Sequence, residues 1–141
     1  ENLLFYGRMY GVDDLADRIK EVLALVGLTN RRRDLVRTFS RGMQQRLAIG
    51  RAVLHDPDVV LFDEPHTGLD QDASAMLDTV LQEVAARGRT VVMTSHDLAR
   101  AADLASRFDV ISRGVISASV KREEIDPNDL LSFYRGALQE S

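Results

Sequence analysis

The sequence predicts an α/β domain with a mainly parallel sheet, preceded by a helical segment. Two short apolar runs, residues 59–62 and 90–93, have the length of buried strands. Helical periodicity fills the stretches before, between and after them, and strands that alternate with helices are typical of a parallel sheet. Residues 1–55 show helical spacing without a strand pattern.

Composition limits the class of protein. The 141 residues are 45% hydrophobic and 28% charged, which is typical of one soluble folded domain. No aliphatic run approaches the roughly 20 residues that span a bilayer. The net charge of −4 argues against a general nucleic-acid surface. Without cysteine, disulfides and thiolate metal sites are excluded.

The elements follow in order from periodicity and stop signals. One helix is expected over about 12–26, ended by Gly27, and a second from Ser40 to about His55, before Pro57. Residues 59–62 predict a fully buried strand, because four bulky apolar residues in a row leave no solvated face. The later expectations are a helix over 70–87, a strand over 90–93, a helix over 97–106, strands at 108–111 and 115–119 around a hairpin-like turn, and a helix over 128–138.

Two carboxylates, Asp63 and Glu64, directly follow the first strand. The carboxyl edge of strands is where open α/β sheets bind ligands. Since successive strand side chains point to opposite faces, one carboxylate could hold Mg²⁺ through water while the other polarises an attacking water. The alternative is a pair of solvated carboxylates at a turn.

A helix start at Ser40 and Gly42 is a second candidate site. Free backbone N–H groups and the helix dipole favour an anion there, and a γ-phosphate would suit them. Ser40 also fits an ordinary N-cap, and the two interpretations are compatible.

The order of FSRGMQQR (39–46), VVLFDEP (59–65), TGLD (67–70) and TSHD (94–97) resembles the C-terminal two-thirds of an ATP-binding-cassette nucleotide-binding domain of transport ATPases. The likeness is strong over 39–97 and loose elsewhere. It implies a helical, signature-bearing subdomain over 1–55 and a partial RecA-like P-loop NTPase core over 56–141, with ATP and Mg²⁺ as cofactors. The FSRGM variant is similar to exporter ATPases, including haem-exporter and multidrug-exporter subunits.

The resemblance assigns roles to residues on the chain's own nucleotide. Asp63 matches the aspartate that anchors magnesium, and Glu64 matches the catalytic glutamate that orients or deprotonates water. His96 matches the switch histidine, which contacts the γ-phosphate and maintains the geometry of Glu64 and water. His55 and His66 receive no such role; His55 is expected to complement a helix dipole.

Other residues would act on the nucleotide of an opposite subunit. Ser40 and Gly42 match the signature, from which Arg41 and Met43 depart. Arg41 either adds a phosphate contact or points to solvent, and Gln44 follows where Met43 cannot make a glutamine's hydrogen bonds. Asp70 matches the loop that communicates with the partner's site, or serves as an N-cap.

A phosphate-binding G-x-x-x-x-G-K-[ST] loop does not occur in the sequence. By the resemblance, the P-loop strand is missing, a truncated fragment is expected, and an apolar strand edge should be left without its neighbour. The isolated chain is therefore expected not to hydrolyse ATP at a useful rate.

The resemblance also implies partners: a transmembrane permease subunit that docks on residues 1–38, a second nucleotide-binding subunit in a head-to-tail dimer, and the missing P-loop half. No nucleic acid is expected, and the expected location is the cytoplasmic face of the membrane. Two alternatives stay open: a soluble ATPase of the same class in DNA repair or translation, and a non-enzymatic module that binds a partner.

Overall fold

The computed structural model describes residues 1–139, which form two compact units, one spanning Glu1–Thr94 and one that begins at Ser95. The expected division into a helical subdomain over 1–55 and a partial core over 56–141 stays a prediction. Within residues 1–139, no helix is long and apolar enough to cross a membrane. The helices and strands are α1 (Asn2–Met9), α2 (Leu15–Leu25), α3 (Arg41–Val53), β1 (Val59–Phe62), α4 (Gln71–Ala86), β2 (Thr90–Met93), α5 (Leu98–Leu104), β3 (Arg107–Ser112), β4 (Val115–Lys121) and α6 (Leu130–Gln139).

Side chains cap the helices that surround the predicted site. Ser40 Oγ accepts the backbone N–H of Met43 at 3.3 Å and so begins α3. Asp70 Oδ1 accepts the backbone N–H of Ala73 at 2.8 Å and begins α4, which ends before Gly88 with its φ of +78°. The predicted helices are therefore confirmed at both positions.

The core of the first unit lies between α2, α3 and α4. It consists of apolar side chains with almost no exposed surface: Val22, Val26, Val53, Leu54, Leu77 and Val80. Gly50 allows α3 to approach α2 closely, because a Cβ at this position would lie 3.0 Å from Val22 Cγ1. Burial of these apolar side chains stabilises each helix more than its intrinsic helix propensity does.

β1 and β2 form a parallel pair in which Val59 lies opposite Thr90 and Phe62 opposite Met93. The expectation of a strand buried on both faces is wrong: Val60 is 4% exposed, but Leu61 is 74% exposed. The reason is that this sheet has two strands within residues 1–139, and one face of it is not covered by the described residues. Among these residues, both outer edges of the pair are without a strand neighbour, whereas the missing P-loop strand was expected to leave one edge unpaired.

The second unit contains an antiparallel hairpin of β3 and β4. Arg113 and Gly114 connect the strands with φ of +50° and +83°, the backbone twist that two-residue hairpin turns require. α6 packs on β3, and Val110, Leu130 and Ala137 are buried. The predicted strands, turn and terminal helix are confirmed.

Candidate functional site

The carboxyl ends of β1 and β2 bring Asp63, Glu64 and Thr94 together. Because Phe62 pairs with Met93, the residues that follow them, Asp63 and Thr94, lie beside each other. The Thr94 hydroxyl donates to Asp63 Oδ1 at 2.6 Å, and it accepts the Glu64 backbone N–H at 2.9 Å. A hydroxyl can donate and accept at once, so one side chain fixes both carboxylate residues.

Glu64 adopts a left-handed backbone conformation, with φ of +44°, which is uncommon for a residue with a side chain. It starts a tight turn in which the Thr67 N–H donates to the Glu64 carbonyl at 3.1 Å. The turn directs the chain away from the strand axis immediately after Asp63. Asp63 and Glu64 therefore differ in backbone conformation, and only Glu64 has a positive φ.

The N-terminus of α3 lies against the segment 63–70, which we call the carboxylate loop. Gln45 Nε2 donates to the Pro65 carbonyl oxygen at 3.0 Å. The helix start carrying Ser40 and Gly42 is thereby tied to the loop carrying Glu64. Residues 39–43, which we call the signature segment, and the carboxylates of Asp63 and Glu64 belong to one structural unit.

The predicted anion-binding residues of α3 differ in their surroundings. Arg41 is exposed, and a Cβ at Gly42 would meet no other described atom within 4 Å beyond the helix backbone and its chain neighbours. Gly42 is thus not required by internal packing. Gln44 Nε2 donates to the Phe39 carbonyl at 3.2 Å, which ties this side chain to the residue before the N-cap Ser40.

Asp70 caps α4, so the N-cap interpretation of this residue is confirmed. The proposed communication of Asp70 with a partner subunit is not tested by this contact and stays a prediction. His66, in the same loop, places Nε2 2.7 Å from Asp78 Oδ1 on α4. His55 stacks on Tyr10 with 4.1 Å between ring centroids, a contact that the sequence did not suggest.

His96 follows β2 and belongs to the second unit. It lies between Ser95, whose Oγ accepts the Asp97 N–H at 3.0 Å, and Asp97, which caps α5 through the Arg100 N–H. These local bonds give the segment 95–97 a defined backbone. The role of His96 toward Glu64 stays a prediction.

The donor atoms of the site suit Mg²⁺ only when a nucleotide shares the coordination. Residues 1–139 contain no group of three or more His, Asp or Glu side chains that could hold a metal ion by themselves. Mg²⁺ bound with a nucleotide commonly takes one or two protein carboxylates and completes its shell with phosphates and water. Asp63, an exposed carboxylate oriented by Thr94, fits this kind of shared site.

Sequence reasoning missed Thr94 and Gln45. Thr94 belongs to the TSHD segment, but its contact depends on the strand register, which residue types alone do not give. Once the register is known, the contact follows: Phe62 and Met93 pair at the ends of the two strands, so Thr94 lies beside Asp63. Gln45 carries no comparable signal, because its partner is a backbone carbonyl.

The fold is that of part of a P-loop NTPase core. A solved structure of an ATP-binding subunit of an ABC transporter superposes with a TM-score of 0.78 and 27% identity, over 98% of this chain and 57% of that chain. A family model described as ABC transporter matches residues 1–67, a range that includes the signature segment and both carboxylates.

Curated proteins with similar sequences are also ATP-binding proteins. The linearmycin resistance ATP-binding protein LnrL of Bacillus subtilis is 41% identical over 84% of this chain and 39% of its own length. A fluoroquinolones export ATP-binding protein of Mycobacterium tuberculosis is 37% identical over 84% of this chain and 38% of its own. The chain thus spans about two fifths of these relatives. It belongs to the family of ABC transporter ATP-binding proteins.

Proposed function

We propose that this chain supplies the water-activating and signalling part of an ATP-hydrolysing subunit that drives a membrane transporter. The observation that carries the proposal is the pair Asp63 and Glu64 at the end of β1, fixed through Thr94 and tied to α3 through Gln45. The family membership supports ATP as the nucleotide.

Asp63 and Glu64 have separate roles in this proposal. Asp63 contributes a carboxylate oxygen to Mg²⁺, which when bound neutralises phosphate charge. Glu64 accepts a proton from, or orients, the water that attacks the γ-phosphate. His96 contacts the same phosphate and maintains the position of Glu64.

The start of α3 acts on the nucleotide of a second subunit. Its free N–H groups and dipole favour a phosphate, and the open surroundings of Gly42 permit a close approach. Arg41 and Gln44 lie beside it, and Asp70 begins the helix that follows the carboxylate loop. This arrangement supports a head-to-tail pair of subunits.

The proposal requires a P-loop half, on the same polypeptide or a separate one, because the 141 residues contain no phosphate-binding loop. We call the combination the assembled ATPase. The chain covers about two fifths of its relatives, which supports such a requirement. A permease that docks on residues 1–38 would place the subunit at the cytoplasmic face of the membrane, and the exporter subgroup is part of the same proposal.

The direct test is Glu64→Gln in the assembled ATPase. The amide keeps the size of the side chain but cannot accept the water's proton, so kcat should fall at least about 100-fold while ATP still binds. Glu83→Gln, an exposed glutamate on α4, is the matched control and should leave kcat unchanged. Equal kcat for wild type and Glu64→Gln would contradict the role of Glu64.

A further inference from the structure

The Thr94 hydroxyl is engaged in two directions at the proposed reaction site. Its hydrogen goes to Asp63 Oδ1 at 2.6 Å, and its oxygen accepts the backbone N–H of Glu64 at 2.9 Å. The Thr94 N–H in turn donates to the Phe62 carbonyl at 2.9 Å, which continues the strand ladder. The backbone of Thr94 is therefore fixed where its side chain acts.

The contact between the Thr94 oxygen and the Glu64 N–H falls on a residue with a left-handed backbone. A left-handed conformation such as that of Glu64, with φ of +44°, is disfavoured for residues with a Cβ and persists only where surrounding contacts impose it. In this conformation the Glu64 N–H points away from the strand ladder, and the Thr94 oxygen is its acceptor. The hydroxyl therefore stabilises the conformation that turns Glu64 out of the strand.

The first contact sets the orientation of Asp63. A carboxylate has about four acceptor positions, so one short bond from Thr94 fixes its plane and leaves acceptor capacity for a hydrated cation. A charge-assisted O–H···O bond of this length is among the stronger ones. Without it, the exposed Asp63 side chain could rotate about its terminal torsion, which has broad preferences.

We propose that Thr94 is a positioning residue that aligns Asp63 and Glu64 with each other through its single hydroxyl. This inference rests on the proposed function of those two residues, and Thr94 itself touches neither nucleotide nor water in it. It predicts that a hydroxyl at residue 94 is required for turnover, whereas the side-chain methyl group is not.

Two variants separate the hydroxyl from the bulk of the side chain. Thr94→Val keeps the shape and removes the hydroxyl, whereas Thr94→Ser keeps the hydroxyl and removes the methyl group. Thr90→Val is the matched control, because Thr90 begins β2, the strand that Thr94 directly follows, and is also exposed. Thr94→Ala replaces the valine variant if valine prevents folding.

In the assembled ATPase, Thr94→Val should lower kcat by about 10- to 100-fold, the scale expected for misplaced reacting groups. It should also raise the Mg²⁺ concentration needed for half-maximal rate, while KM for ATP changes less than about threefold because the phosphates are gripped elsewhere. Thr94→Ser should retain kcat within about threefold. An unchanged kcat in Thr94→Val, or an equal loss in Thr94→Ser, would overturn the inference.

A second readout does not depend on ATP hydrolysis. Amide hydrogen exchange of the 141-residue chain, resolved by NMR, should show the Glu64 N–H exchanging at least about 10-fold faster in Thr94→Val than in wild type or Thr94→Ser. The amide of Val80 in the core of α4 should stay equally protected in all three and so reports intact folding. Unchanged Glu64 exchange in folded Thr94→Val would overturn the inference.

The two readouts also separate the inference from the proposed function. Loss of Glu64 protection in Thr94→Val, together with full turnover by Glu64→Gln, would contradict the proposed function while leaving the Thr94 contacts established. Sensitivity of kcat to Glu64→Gln but not to Thr94→Val would contradict the positioning role alone.

Discussion

Gln45 on α3 donates its side-chain N–H to the carbonyl oxygen of Pro65 in the carboxylate loop, over 3.0 Å. This bond joins the helix that starts at the signature segment to the residue directly after Glu64. A displacement of the start of α3 can therefore be transmitted directly to the carboxylate loop, and the reverse also holds. The contact involves a backbone carbonyl, so only the glutamine side of it can be altered by mutation.

Gln45→Leu should lower the free energy of unfolding of the chain by about 1 kcal/mol, because the carbonyl of the buried Pro65 loses its donor. Urea denaturation measures this change. Gln82→Leu, at an exposed position of α4, is the control and should have an effect near zero. An equal decrease in the free energy of unfolding in both variants would mean that the hydrogen bond to Pro65 does not stabilise the chain.

Gly42→Ala should not destabilise the chain. Alanine is the better helix former, and nothing among the described residues opposes a Cβ there, so the free energy of unfolding should rise by up to about 1 kcal/mol. Gly50→Ala is the matched comparison, where the new Cβ would lie 3.0 Å from buried Val22. Thermal unfolding should rank Gly42→Ala above Gly50→Ala.

The functional effect of Gly42→Ala should have the opposite sign. In the assembled ATPase, the added methyl group stands where the partner's phosphate is proposed to approach, so turnover should fall by at least about 10-fold despite the higher stability. Normal turnover in this variant would show that no ligand approaches Gly42 closely.

Arg89 links the segments that precede β1 and β2 by pairing with Asp56 and Asp58. Its hydrogen bond to Asp56 holds the pKa of that carboxyl below the ordinary value of 3.8. A lowered carboxyl pKa stabilises the fold above the unfolded-state value and ceases to do so as the pH falls through the folded-state value.

Asp56→Asn should therefore be less stable than wild type at pH 7, by the modest amount expected of a partly exposed ion pair. The difference should shrink as the pH falls below 3.8. Urea midpoints across this pH range measure it, and Asp13→Asn, an exposed aspartate, is the control. A difference that grows on acidification would contradict the assignment.

The uncovered face of the β1 and β2 pair should make the chain self-associate. Leu61 is 74% exposed, and Val92, opposite it in the register, is 49% exposed, so they form an adjoining apolar surface on an unprotected sheet. Leu61→Thr should reduce concentration-dependent light scattering. Leu35→Thr removes another exposed leucine, 53% exposed and outside the sheet, and should change scattering less.

Local signals sufficed for most of the fold. Ser40 and Asp70 are cap residues placed before apolar stripes, and Gly88 follows closely on the end of α4, so both helices were predictable. The exposure of Leu61 was not, because burial of a strand depends on what lies over it. An apolar run shows that a strand would be stabilised by burial, but it does not show which residues would bury it.

Some features of the candidate site could also be predicted from local sequence, and others could not. Asp63 and Glu64 were predictable as candidates because two adjacent carboxylates directly after an apolar strand lie at the edge of the sheet where ligands bind. The left-handed backbone of Glu64 and the bond between His66 and Asp78 depend on the path of the chain through the turn. The identity of residues 64 and 66 does not determine that path.

The decisive measurement is ATP turnover by the purified 141-residue chain, alone and together with a P-loop half. We expect no useful turnover by the chain alone, because no phosphate-binding loop or lysine neutralises the phosphates. Turnover should appear on assembly and be lost with Glu64→Gln. Turnover by the chain alone that Glu64→Gln abolishes would contradict this expectation.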